Sequence, residues 1–134
     1  MADTLHFALV SPDRELFSGA VDQVVAPGVE GEFGVLPNHA PFMTVLQPGP
    51  LRIFQGGDVR KMFVNGGFAD VTPQGLTVLA EEAIDLAQVN PAVIAQQLRD
   101  AQEELNAADS EALRGPLAAR VERLNALQQA LQQP

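Results

Sequence analysis

The chain has no cysteine, no tryptophan and no tyrosine among its 134 residues, and few basic side chains: 8 Lys and Arg stand against 17 Asp and Glu. Each shortage removes a class of function. Without cysteine there is no disulfide framework, no thiolate metal site and no cysteine nucleophile. A formal net charge of −9 has the wrong sign for nucleic acid or anionic lipid, which are held by clustered Lys and Arg. Long apolar runs are also missing, and none approaches the roughly 20 residues of a membrane-crossing helix. The opening segment Met1-Ala2-Asp3-Thr4-Leu5-His6-Phe7 carries neither the basic nor the apolar stretch of an export signal, so an intracellular, soluble chain is expected. The hydrophobic fraction of 46% is that of a folding chain and too high for a disordered one.

Composition divides the sequence. All seven Phe lie at or before Phe68, ten of the eleven Gly lie at or before Gly75, and the last third is dominated by Ala, Leu, Gln and Glu. Aromatics and turn residues suit short strands, whereas Ala, Leu, Gln and Glu suit helices. In the first part Leu5, Phe7 and Leu9 alternate with polar or small residues. Leu51 and Ile53 flank Arg52, and Leu76, Val78 and Ala80 flank Thr77 and Leu79. A period of two places one row of side chains in a core and the other in water. Gly56-Gly57, Asn65-Gly66-Gly67 and Thr72-Pro73-Gln74-Gly75 supply the chemistry of tight hairpin turns. The expected fold is an N-terminal antiparallel β-sandwich or barrel over residues 1–88, followed by a two-helix antiparallel hairpin over residues 89–134.

Asn90-Pro91 marks the helical start, because Asn caps well and Pro fits the first turn, where its missing N–H would be unpaired anyway. Ile94, Leu98, Ala101, Leu105 and Ala108 recur at helical spacing and predict a helix over about 91–108. Leu117, Val121, Leu124, Leu127 (or Gln128) and Leu131 do the same for a second. Gly115-Pro116 leaves two starts open for it, at Pro116 or near Ser110 with a kink; the spacing favours 116–132, with residues 109–115 as connector.

Few residues could carry chemistry. His6 and His39 are the only histidines, too few and too far apart for a metal site. His6 falls on the face opposite Leu5 and Phe7 and is expected in solvent. His39 sits in Pro37-Asn38-His39-Ala40-Pro41, where a general base would still need a nucleophile and an orienting partner. Gly28-Val29-Glu30-Gly31-Glu32-Phe33-Gly34 resembles a phosphate cradle only superficially. It holds two carboxylates, is followed by no Lys, and runs into Pro37 instead of opening a helix. A strand–turn–strand corner accounts for it.

The block Gly31-Glu32-Phe33-Gly34-Val35-Leu36-Pro37-Asn38-His39-Ala40-Pro41 resembles the G-E-x-G-[IV]-x-P-x-H-A-P block of the epsilon subunit of the F-type (rotary, proton-translocating) ATP synthase. Phe17-Ser18-Gly19 and Gly66-Gly67-Phe68-Ala69-Asp70-Val71, followed by Leu76-Thr77-Val78-Leu79-Ala80, support it. The likeness is strong from Leu5 to about Ile84 and ends in the expected helical pair. It implies a non-catalytic rotor subunit of the central stalk that binds the gamma subunit and the c-ring. It would couple proton-driven rotation to ATP synthesis, at the cytoplasmic side of a bacterial coupling membrane and joined to that membrane only through the complex. By matching positions, Ser11, His39 and Thr44 would face gamma and Glu32 would meet the polar loops of the c-ring.

In that family the hairpin either folds down beside the sandwich or extends towards the alpha and beta subunits and blocks ATP hydrolysis. Here the tail has four basic residues, Arg99, Arg114, Arg120 and Arg123, against six acidic ones, which makes it a weaker inhibitor than basic tails. Some members bind ATP through an [IL]-D-x-x-R-A motif. The matching stretch Val89-Asn90-Pro91-Ala92-Val93-Ile94 lacks its Asp and Arg, so no cofactor is expected. The residues also admit two rival readings, a hairpin adaptor that holds client segments on its Leu stripes, and a small hydrolase using His39 with Glu30 or Glu32.

Overall fold

The computed structural model describes residues 3–133, and the chain divides into two compact units, Met1–Ala87 and Gln88–Pro134. The first unit contains ten strands: β1 (Leu5–Val10), β2 (Glu15–Val21), β3 (Gln23–Gly28), β4 (Gly31–Val35), β5 (Phe42–Val45), β6 (Gly49–Gln55), β7 (Asp58–Asn65), β8 (Phe68–Val71), β9 (Gly75–Leu79) and β10 (Glu82–Asp85). They form two five-stranded sheets. The first has the order β2-β1-β9-β8-β5 and the second β10-β7-β6-β3-β4.

The alternation read from the sequence fixes which faces meet. Leu5, Phe7 and Leu9 from β1 and Leu76 and Val78 from β9 share one core with Leu51 and Ile53 from β6 and Met62 and Val64 from β7. Removing each such side chain from water contributes about 1.5–3 kcal/mol, so this shared layer is what joins the sheets. Gly56 and Gly57, at φ 59° and 87°, supply the two positive-φ residues of the β6–β7 turn, as expected.

Two details depart from the expected arrangement. One pair, β1 with β9, is parallel, whereas the turn chemistry suggested antiparallel pairing throughout. A parallel pair needs a long crossover, and the chain from β2 to β8 provides it. Asn65-Gly66-Gly67 is not a hairpin turn but the step from the second sheet to the first, since it joins β7 to β8. Gly67 lies there at φ 99°, against the backbone of Leu79 and Ala80.

The second unit is a helical hairpin of α1 (Pro91–Ala107) and α2 (Glu111–Gln132), which pack on each other. Asn90 is the N-cap of α1, its side-chain oxygen accepting from the Ala92 N–H at 2.9 Å. Ile94, Leu98 and Ala101 are buried on α1, and Leu124, Leu127 and Ala130 on α2.

The second helix begins at Glu111 and not at Pro116. Pro116 falls inside it and forfeits the bond to the Ala112 carbonyl. Two contacts offset that loss. The Ser110 hydroxyl accepts from the Leu113 N–H at 3.4 Å and caps the earlier start. Arg114 Nη1 donates to the carbonyls of Leu105 and Ala108, at 3.1 and 3.2 Å. The Leu105 carbonyl already accepts from the Ala108 N–H, so Arg114 adds a second bond there and places its charge at the negative end of α1, which brings the first turn of α2 to the end of α1.

Candidate functional site

The residues singled out from the sequence belong to the sandwich, but not to one cluster. Ser11 lies in the turn between β1 and β2. Its N–H donates to the Arg14 carbonyl at 2.9 Å and the Arg14 N–H returns a bond at 3.3 Å. Its hydroxyl also donates to Arg14 O, at 3.2 Å. His39 is half-buried in the loop before β5, its Nδ1 lying 2.8 Å from the Ala40 carbonyl oxygen. The preceding Asn38 adopts φ 62°, a left-handed conformation that Asn tolerates better than most residues. Thr44 pairs with the buried Ala69, so the pleat puts it on the inward side of β5 and leaves Met43 and Val45 facing out.

Register exposes a feature that the sequence reading missed. Val45 pairs with Phe68, Phe68 with Leu79, and Leu79 with Val10. These four apolar residues form one row across four strands on the outer face of the first sheet. Val45 is 58% exposed, Phe68 38% and Leu79 40%, and Met43 beside them is 64% exposed. Val10, Phe68 and Leu79, with Ser11 and Pro12, also line an apolar cleft of about 480 Å³. Single exposed hydrophobic residues are ordinary, whereas these lie side by side on adjacent strands. Ser11 and Thr44 flank its two ends in sequence, next to Val10 and Val45.

Glu32 sits elsewhere, on β4 at the edge of the second sheet, opposite Pro27 of β3. It is not a free turn carboxylate. Its Oε1 accepts from Arg52 Nη2 of β6 at 2.8 Å, reaching across β3, with the two side chains 46% and 30% exposed. At that exposure an ion pair contributes little to folding, about 0.2–1 kcal/mol. The pair engages one of the two carboxylates, Glu32 and Glu30, that the hydrolase reading offered to His39.

Among the described residues no group of three or more His, Cys, Asp and Glu could hold a metal ion, and no helix is long and apolar enough to cross a membrane. The two surface features of the sandwich are an apolar row on the outer face of one sheet and a charged pair at the edge of the other.

Residues 4–86 match the family model described as the ATP synthase delta/epsilon chain, beta-sandwich domain. Over 128 residues the chain is 54% identical to the ATP synthase epsilon chain of Maricaulis maris, covering 96% of each. Over 135 residues it is 53% identical to that of Hyphomonas neptunium, covering 98% of each. Among solved structures it is similar to a chain of the Euglena gracilis mitochondrial ATP synthase, in an OSCP/F1/c-ring assembly. The TM-score there is 0.85 at 26% identity, over 96% of this chain and 82% of that one.

Proposed function

This chain belongs to the epsilon-chain family of the ATP synthase, and from that membership we propose that it is a non-catalytic rotor subunit held by gamma through the outer face of its first sheet. It is part of the synthase, and neither the client-binding adaptor nor the His39 hydrolase has support from its relatives. The observation that carries the gamma contact is the row Val45–Phe68–Leu79–Val10 on the outer face of the first sheet, in which Val45, Phe68 and Leu79 are exposed. Burying such a row against a partner removes apolar area from water without deforming the sandwich, which suits an element that must transmit torque.

In this reading Ser11 and Thr44 adjoin the ends of the gamma-facing row in sequence, Thr44 with its own side chain on the inner side of β5. His39 contributes from the loop before β5, and Glu32 meets the polar loops of the c-ring from the second sheet. An acidic group at a sheet edge suits a basic loop, and charge pairing across such a rim fixes orientation more than it adds affinity. The hairpin is a regulatory element whose acidic character makes it a weak brake on hydrolysis, reached through the alpha and beta subunits. The whole subunit works at the cytoplasmic side of the coupling membrane, attached only through the complex.

Synthase stripped of this chain and reconstituted with it tests the proposal. The wild-type chain is expected to restore ATP-driven proton pumping while hydrolysing no ATP alone. Glu32→Lys is expected to bind gamma normally yet restore pumping incompletely, by about two- to fivefold, because the reversed charge repels the basic loop. Full pumping with Glu32→Lys would remove the c-ring assignment.

A further inference from the structure

Arg52 has no place in the proposed function, yet its surroundings give it one. It lies on β6 between the buried Leu51 and Ile53, so the pleat turns it to the outer face of the second sheet. Its guanidinium crosses β3 to reach Glu32 on β4, and Nη2 donates to Glu32 Oε1 at 2.8 Å. Nε of the same guanidinium is buried and meets no acceptor among the described residues.

A side chain kept for stability would not combine these features. A buried N–H without an acceptor costs free energy, and a half-exposed ion pair returns little. What the arrangement does achieve is orientation. Glu32 stands on an edge strand where an unsupported carboxylate would rotate freely, and the Arg52 bond fixes one of its oxygens. A donor from a partner loop is then taken at the other oxygen in a set direction.

We infer that Arg52 is a positioning residue that pre-orients Glu32 for the c-ring loop, an inference that rests on the c-ring reading of Glu32 given above. The binding partner it implies is a loop that offers a cationic or amide donor to one carboxylate oxygen. A loop presenting a carboxylate to that oxygen would be rejected.

Depleted synthase reconstituted with Glu32→Gln, Arg52→Gln, Arg52→Lys and the double variant Glu32→Gln/Arg52→Gln tests this. The readouts are the ratio of proton pumping to ATP hydrolysis and the thermal midpoint of each chain alone. Arg52→Gln is expected to lower the ratio about threefold, matching Glu32→Gln, with the double variant no worse than either single one, as coupled residues behave. Arg52→Lys is expected to regain about half of the loss, since an ammonium keeps the charge but not the planar fork. If Glu32→Gln lowers the ratio and Arg52→Gln leaves it at the wild-type value, whatever its midpoint, the positioning role is wrong while the c-ring contact stands. If losses in the double variant multiply, the two residues act separately and the inference fails. If neither single variant changes the ratio, the c-ring reading fails and takes this inference with it.

Discussion

Replacing Leu79 with Glu weakens binding to the gamma subunit by about 2–3 kcal/mol, roughly 30- to 150-fold, and leaves the sandwich folded. The two halves of that expectation come from the same geometry. Leu79 is 40% exposed at the end of β9, while its neighbours Val78 and Ala80 are buried. A carboxylate at 79 therefore meets water in the free subunit, at little cost to folding. In the bound state it would sit in the middle of a row whose other members, Phe68 and Val10, are apolar, and it would lose its hydration without gaining a partner. Leu79→Ala should cost less, because it removes contact area but introduces no buried charge. Isothermal titration against purified gamma, with a thermal melt as the fold control, measures both effects. An affinity for Leu79→Glu equal to that of the wild type would show that the row is not the contact.

The largest effect on stability is expected at Gly67. A β-carbon there would lie against the Leu79 carbonyl oxygen, its carbon and Ala80 Cα, none of which can move aside as a side-chain tip could. The residue also holds φ 99°, where L side chains are strained. Gly67→Ala should therefore cost about 3 kcal/mol or more, a large share of the roughly 5–15 kcal/mol that holds a domain folded. Gly56→Ala is the matched comparison. It too has positive φ, 59°, but nothing lies within 4 Å of a β-carbon there, so the expected cost is about 1 kcal/mol. Chemical denaturation of both variants separates the conformational penalty from the steric one. Equal losses would mean that the step between sheets tolerates a side chain.

What could be read from the sequence was local, and what could not depended on register. Alternation in Leu5-Phe7-Leu9, Leu51-Ile53 and Leu76-Val78-Ala80 identified core positions because a strand's period is a property of neighbouring residues. Asn90-Pro91 identified the start of α1 for the same reason. The row of Val10, Val45, Phe68 and Leu79 gathers single residues from four strands. Its members look like ordinary alternation until pairing aligns them. The Glu32–Arg52 pair joins residues 20 positions apart across an intervening strand, and no spacing rule in a single chain points to it.

Glycine chemistry at Asn65-Gly66-Gly67 correctly marked positive φ but could not distinguish a hairpin from a step between sheets. Pro116 carries a start signal in the sequence, since proline is favoured in the first turn of a helix. The contacts that move the start to Glu111 are a serine cap and an arginine reaching the carbonyls of the other helix. The second of these exists only once the hairpin has closed.

Since the chain has no cysteine, single thiols can be placed at will and their reactivity followed. The direct measurement is the maleimide labelling rate of Leu79→Cys and Val45→Cys, free and bound to gamma, with Asp58→Cys in the β6–β7 hairpin as reference. Thiols inside a packed interface are shielded from reagent and water, so the two row positions should label at least about tenfold more slowly in the complex. The reference should not change. Leu79→Cys and Val45→Cys labelling at their free rates within an intact complex would contradict the account, because gamma would then be held by some other face.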